Sequence, residues 1–293
     1  MPRAKTPPAT PAIAAKLHAA GDRVYRRREV GDLLRTCRAE HLVSQRLTLD
    51  EFTAFLADTG LLTIASIKPP LGSAILRYHH GELSPFELGL TLRDNAYLSH
   101  GSAAFLHGLN DQLPSVVYVN REQSPKPEPT GPLLQANVDR AFAHPQRTSK
   151  YVFELAGTNT SFVLLSGKHT GKLGVVDVRD PYGRSVACTD LERTLVDMVV
   201  RPTYAGGVAQ VLESFANARG RVSVPKLVAT LEELGHFYPY HQALGFYMSR
   251  AGYEDGETKL LRRFGLAIDF YLVHAMQRME FDASWRVYVP RGL

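Results

Sequence analysis

The stretch "RLTLDEFTAFLADTGLLTIASIKPPLGSAILRYHH", residues 46–80, decides the fold of the amino-terminal third. Leu49, Phe52 and Leu56 fall on one stripe of a helix. Thr48 and Glu51 have capping-box spacing, so the threonine hydroxyl accepts from the Glu51 amide while the carboxylate reaches back. Gly60 supplies the stop. Beyond it "LLTIASI" and "AILRYHH" have strand composition, joined by the Pro/Gly turn "KPPLGS". A helix feeding a two-stranded ribbon is the second half of a winged helix-turn-helix.

The first half lies upstream. "PAIAAKLHAAGD" places Pro11 ahead of an Ala-rich helix that stops at Gly21. In the next segment Val30, Leu33, Leu34 and Cys37 recur at helical spacing and make one apolar face. Arg26, Arg27 and Arg28 open that helix, and Arg28 and Arg35, seven apart, point away from the face. A winged helix sets one helix in the major groove and grips phosphates with the wing and flanking residues. The candidate DNA contacts are therefore Arg26, Arg27, Arg28, Arg35, Arg38 and Arg46 as phosphate anchors. Thr48 and Thr53 would lie near base edges, with Lys68 in the wing loop and Arg77 on its return strand. Two features oppose this assignment. The connection before Thr48 is longer than the usual three or four residues, and the groove helix exposes Asp50, Glu51 and Asp58, which would repel phosphates.

Charge placement agrees with a polyanion partner for the front end. Residues 1–49 carry ten Lys/Arg against four Asp/Glu, while the whole chain of 293 residues has a net charge of +5, which leaves the remainder near neutral. "MPRAKTPPATP" is basic and proline-rich with no apolar core, which reads as a disordered tail over 1–11 and not as a secretory signal. No apolar run approaches the roughly 18 residues that span a bilayer. Cys37 and Cys188 form no CxxC, so neither a cysteine zinc site nor a disulfide framework is expected, and a reducing cytoplasm fits.

The expected fold class is mixed α/β, or α+β: a winged helix-turn-helix over 12–95, then a larger mixed body over 96–293. "LSPFELGLTL" reads as a short helix with Ser84 as cap, Pro85 first and Glu87 closing the box. "AYLSHGSAAFLHGL" is a small-residue helix expected to pack the domain junction, its histidines structural. "SVVYVN", "SFVLLSG", "LGVVDVR", "IDFYLV" and "WRVYVP" read as strands, and "REQSPKPEPTG" as a loop. "CTDLERTLVDMVVRP" reads as a helix with a Thr189/Glu192 box and a Pro202 stop, and three more helices follow. The Gly206–Gly207 turn is expected to let two of them pack tightly.

No reaction chemistry emerges. "SGKHTGKL" lacks the four-residue gap and the Ser/Thr of a phosphate loop, and reads as a hairpin turn. His100 and His107 are two turns apart, about 10.5 Å along a helix axis, too far to share a metal. The pair in "YHHGE" points to opposite faces of a strand. Asp177 and Glu154 suggest a nuclease pair, but "FELAG" has alanine where lysine is needed. The acids of "TDLERTLVD" suit a helix N-terminus. Neither a catalytic residue nor a metal or other cofactor is expected.

Several stretches together resemble the AbiEi family of antitoxins from bacterial type IV toxin–antitoxin, or abortive-infection, systems. They are "AYLSHGSAAFLHGLNDQLPSVVYVN" (96–120), "DLERTLVDMVVRPTYAGGVAQVLESF" (190–215), "YPYHQALGFYMSRAG" (238–252) and "WRVYVP" (285–290). The resemblance implies an N-terminal winged helix that binds inverted repeats in the operon's own promoter and represses it. It also implies a C-terminal domain that counteracts a nucleotidyltransferase-like toxin, AbiEii, without a stable complex. With acids on the groove helix, affinity is expected chiefly from the arginines and the wing. Two other readings remain open: a C-terminal domain that is an enzyme on nucleic acid or nucleotide, and a module that binds the toxin directly.

Overall fold

The computed structural model describes residues 9–127 and 131–293. Residues 1–8, most of the expected tail, lie outside the described residues, as does part of the proline-rich loop. The first helix begins inside the expected tail. α1 spans Thr10–Ala20, followed by β1 (Arg23–Tyr25), α2 (Arg27–Ala39), α3 (Leu49–Asp58), β2 (Thr63–Lys68) and β3 (Ile75–His80). β1 pairs with β3, and β3 with β2, all antiparallel. That order of helix, strand, helix, helix and hairpin is the winged-helix arrangement. The Thr48/Glu51 box forms as expected, with Glu51 N donating to Thr48 Oγ1 at 3.2 Å and Thr48 N to the Glu51 carboxylate at 2.8 Å. Ile13, Leu17, Val30, Leu34, Phe52 and Leu56 close a separate small core beneath it.

The body continues with α4 (Pro85–Leu90), β4 (Tyr97–Leu98), α5 (His100–Leu106), β5 (Val116–Glu122) and α6 (Gln135–Phe142). Next come β6 (Val152–Leu155), β7 (Ser161–Gly167), β8 (Val175–Arg179) and β9 (Ser185–Thr189). A helical layer follows: α7 (Leu191–Val200), a 3₁₀ turn (Pro202–Ala205), α8 (Val208–Ala218), α9 (Val224–Leu234), α10 (Tyr240–Arg250) and α11 (Asp255–Arg262). The chain ends in β10 (Phe270–Tyr271), β11 (Met279–Asp282) and β12 (Val287–Pro290). The mixed α/β class is as expected, with a nine-stranded sheet in the order β1-β3-β2-β6-β7-β5-β4-β9-β8 and a three-stranded sheet beside it.

That order changes the expected division at residue 95. β2 is an interior strand: beyond β3 it pairs antiparallel with β6, Ile67 opposite Leu155 and Lys68 opposite Glu154. Ala156 N donates to Ser66 O at 2.9 Å across the same seam. The ribbon is therefore built into the sheet of the larger half, and backbone hydrogen bonds cross the expected boundary.

Other local expectations need correction. "SGKHTGKL" is not a hairpin turn. β7 pairs with β6 and β5, while β8 pairs only with β9 at the far edge, so the loop is a crossover. Asp177 and Glu154 lie on strands five positions apart in that sheet, about 24 Å at the usual spacing, so no nuclease pair forms. α7 is capped by Asp190, which accepts from Arg193 N at 2.8 Å, and Thr189 ends β9 instead. Ser84 caps α4 as expected, but Glu87 does not close the box; it accepts from Val24 N at 3.0 Å, back in the winged helix. α5 packs between the sheet and α7 within the larger half, touching the amino-terminal part where Phe105 stacks on Phe86 at 5.8 Å. β1, β4, β9, β11, α6 and α11 were not legible from periodicity, mostly because they are too short to show any, while Glu154 lies on a strand as expected.

In the helical layer the Trp285 ring lies flat against Gly245, where an added Cβ would sit 2.3 Å from a ring carbon. Its indole N–H donates to Ser249 Oγ at 2.9 Å. This ties the β11–β12 turn to α10.

Arg184, on β9's hairpin side, is the second tie between the halves. It donates to Glu82 O at 2.9 Å and to Asp22 at 3.2 Å, and lies 3.4 Å from the Glu87 carboxylate. Burial raises the Glu87 pKa, against the pull of its Val24 hydrogen bond and Arg184. Arg184→Ala leaves a half-buried carboxylate without its counter-charge, a loss of about 2–3 kcal/mol. Chemical denaturation should show a lower midpoint with an unchanged slope; an unchanged midpoint would mean the tie contributes nothing.

Candidate functional site

Two regions hold concentrated basic residues. The first is the winged-helix surface, where the structure divides the expected contacts. Arg26 caps α2 and is turned inward: it pairs with Asp94 and donates to Leu90 O at 3.4 Å, and its side chain is 19% exposed. Arg38 donates to Leu47 O at 2.6 Å and holds the long loop before α3. Arg77 clamps β3 to α4, donating to Thr91 Oγ1 at 2.9 Å and Thr91 O at 3.0 Å. Burial lowers its pKa. Thr53 is buried and donates to Asp50 O at 2.9 Å. Thr48 is occupied as the α3 cap. Arg26, Arg38, Arg77 and Thr53 are thus turned to contacts within the protein, while Thr48 caps α3 at an exposed position.

Arg27, Arg28, Arg35, Arg46 and Lys68 remain exposed. Arg27 donates to Asp50 at 2.6 Å, Arg28 lies 3.8 Å from Asp94, Arg35 pairs with Asp32, and Lys68 lies 3.8 Å from Glu154. Only Arg46 of these has no ion pair among the described residues. Exposed pairs of this kind are worth about 0–1 kcal/mol and yield readily to a phosphate. The outward face of α3 carries Asp50, Ala54 and Asp58, with no cation.

The second region is a cleft of about 1310 Å³ between the sheet and the helical layer. One wall is the sheet face carrying Asn120 and Leu165; the other comes from α7 and the segment after α9. Arg147, Lys150, Lys168, Arg193 and Arg201 line it against a single carboxylate, Asp197. Arg193 donates to Asp197 at 2.8 Å and to Leu173 O at 3.0 Å. The other four basic side chains have no ion pair among the described residues.

The crossover loop is strapped into this cleft. Glu122, at the end of β5, accepts from Thr170 N and Lys172 N, both at 3.1 Å, and from the Thr170 hydroxyl. Burial works to raise the Glu122 pKa, but these hydrogen bonds outweigh it and hold the carboxyl below its ordinary value. Lys168 donates to Leu234 O and Gly235 O, both at 2.8 Å, capping α9. Asn120 spans the floor, accepting from Gly167 N at 2.9 Å and donating to Tyr97 Oη at 2.6 Å.

His100 sits at the corner between β4 and α5 with φ 52°, a left-handed backbone unusual for a residue with a Cβ. The corner needs Gly101 next, where a Cβ would stand 3.0 Å from Tyr204 O. Ser99 Oγ lies 2.8 Å from His100 Nδ1, and the ring meets Tyr204 edge-on at 5.5 Å. Burial lowers the His100 pKa to about 4, so the ring is neutral at neutral pH. His236 is likewise lowered to about 4 by burial, and its Nε2 is buried with no hydrogen-bond partner. His107 has the structural role expected of it, with Nε2 2.6 Å from Thr189 O. The expectation for His100 was incomplete: besides packing, it lines the cleft.

Sequence reading missed this region. Asp190 and Glu192 do serve the start of α7, and Lys226 bridges them at 2.9 and 2.8 Å. Arg193 and Asp197, one turn on, face the cleft instead. Its lining comes from stretches far apart in the chain, among them His100 and Asn120, Arg193 and Asp197, and Tyr238 and Tyr240. Among the described residues no cluster of three or more metal-ligating side chains occurs, and no helix is long and apolar enough to cross a membrane.

No family model matches the chain, and no curated protein matches it. Among solved structures it is similar to the RV2827C protein from Mycobacterium tuberculosis, with a TM-score of 0.59 and 14% identity, over 97% of this chain and 92% of that one. At that identity the likeness establishes a shared fold. The matched length takes in both halves of this chain.

The buried His100 fixes a pH dependence. Its folded pKa, about 4, lies below the ordinary 6.5, so the unfolded chain binds the extra proton. Its contribution is full above pH ~6.5 and is lost as pH falls towards 4, about 3 kcal/mol at most. His100→Asn keeps a residue that tolerates the left-handed backbone. The melting temperature of the variant should fall less steeply between pH 6.5 and 5 than that of the native protein; equal slopes would show that His100 is not held neutral.

Proposed function

We propose that the protein is a DNA-binding autorepressor and antitoxin of the AbiEi type, docking on operator DNA through its winged helix. The observation that carries this reading is the helix–strand–helix–helix–hairpin order together with exposed Arg28 and Arg35 on α2 and exposed Arg46 ahead of α3. Arg28 and Arg35, on the outer face of α2, lie against phosphates, and Arg46 joins them from the loop ahead of α3. Arg27 releases Asp50 to reach the backbone. Because α3 presents acids and alanines, contacts to the backbone dominate over base edges. The proposed DNA partner is the inverted repeats of the protein's own promoter. The antitoxin half of the reading rests on the resemblance of four sequence stretches; its functional partner is a nucleotidyltransferase-like toxin, counteracted by the larger half.

The test is a salt-titrated gel shift with the protein's own upstream DNA. Replacing Arg28 and Arg46 with alanine should weaken binding to every duplex alike and flatten the log–log salt slope by about 0.9 for each phosphate no longer neutralised. Arg38→Ala, which removes a loop tie, should lower thermal stability with little change in slope. Unchanged affinity and slope in the double variant would remove the winged helix from DNA recognition.

A further inference from the structure

In the cleft of the larger half Arg147, Lys150, Lys168 and Arg201 have no carboxylate partner among the described residues, and Arg201 donates to Arg147 O at 2.8 Å. Like charges gathered in a concave site raise the local potential and repel one another unless an anion joins them. Arg193 makes no hydrogen bond through Nη2 to any described residue, although Nε and Nη1 are both engaged.

Two further observations point to a ligand. The buried Nε2 of His236 has no partner, and an unpaired buried polar atom costs about 1–3 kcal/mol and calls for an explanation. Planar rings line the cleft with the cations: Phe237 and Tyr151 are exposed, and Tyr238 lies next to Phe237 with centroids 5.6 Å apart. The volume also exceeds the roughly 300–1,000 Å³ typical of small-molecule sites, so it has room for one.

We propose that this cleft binds a mononucleotide, with phosphates on Arg147, Lys150, Arg201 and Arg193 and the base against the rings of Phe237 and Tyr238. Inorganic anions satisfy only the first half of that description, and a polynucleotide would need a track leading out of the cleft. The assignment stands independently of the winged-helix reading.

Isothermal titration calorimetry on the full-length protein tests it with ATP, GTP, CTP, UTP and inorganic pyrophosphate. At least one nucleotide should bind. Arg147→Ala with Lys150→Ala should weaken that binding by about tenfold or more without lowering the melting temperature, since both side chains are exposed and their removal relieves like-charge repulsion. Phe237→Ala should weaken the nucleotide and leave pyrophosphate unchanged. Three results overturn the proposal: no nucleotide bound at millimolar concentration, pyrophosphate bound as tightly as every nucleotide, or a single-stranded oligonucleotide bound through Arg147 and Lys150 while mononucleotides are not.

Discussion

The structure depends on β2 having a partner on each side. A winged helix normally ends its ribbon at a free edge. Here β2 bonds β3 on one flank and β6 on the other, so the strands of the winged helix become one end of the larger sheet. Edge strands must be protected from stray pairing, and this seam removes one such edge. It also couples the two halves mechanically: a ligand held by either meets a body that includes both. The Arg184 contacts to Asp22, Glu82 and Glu87 reinforce the joint from the far end of the sheet.

Electrostatics divide the molecule in a way that counting charge along the chain does not reveal. The amino-terminal segment is the more basic by sequence, yet Asp32, Asp50 and Asp94 fold back onto its arginines. These pairs are weak and exposed, so they tune the surface without closing it to phosphates. The larger half is near neutral by sequence, yet five of its cations line one concavity against a single carboxylate, Asp197. The same coupling term, a charge in a low-dielectric cleft, is larger there than on an open helix face.

The fold was legible where the local signal was strong. The α3 capping box, the apolar stripe of α2 and the Pro/Gly turn of the ribbon each rest on interactions within a few residues, and each forms as expected. What failed was non-local. β2's second partner, β6, lies over 80 residues away and is four residues long, too short to show a period. "SGKHTGKL" has the look of a hairpin because its two flanking strands adjoin in sequence, whereas the sheet order places them far apart. The cleft was invisible for the same reason: His100, Arg193 and His236 belong to three separate elements. Thr53 fails as a base contact because it lies beside Phe52 and Leu56 on the side of α3 that the core covers.

The seam between β2 and β6 is the claim on which the joint account of both halves rests, and native-state hydrogen exchange addresses it most directly. The Ala156 amide, bonded to Ser66 O, and the core amides of α2 should exchange with the same opening free energy as the β5–β7 amides, through unfolding of the whole sheet. If the winged-helix amides and Ala156 instead open together at a clearly lower free energy, while β5 and β7 stay protected, the two halves are separate units and the continuous-sheet account is wrong.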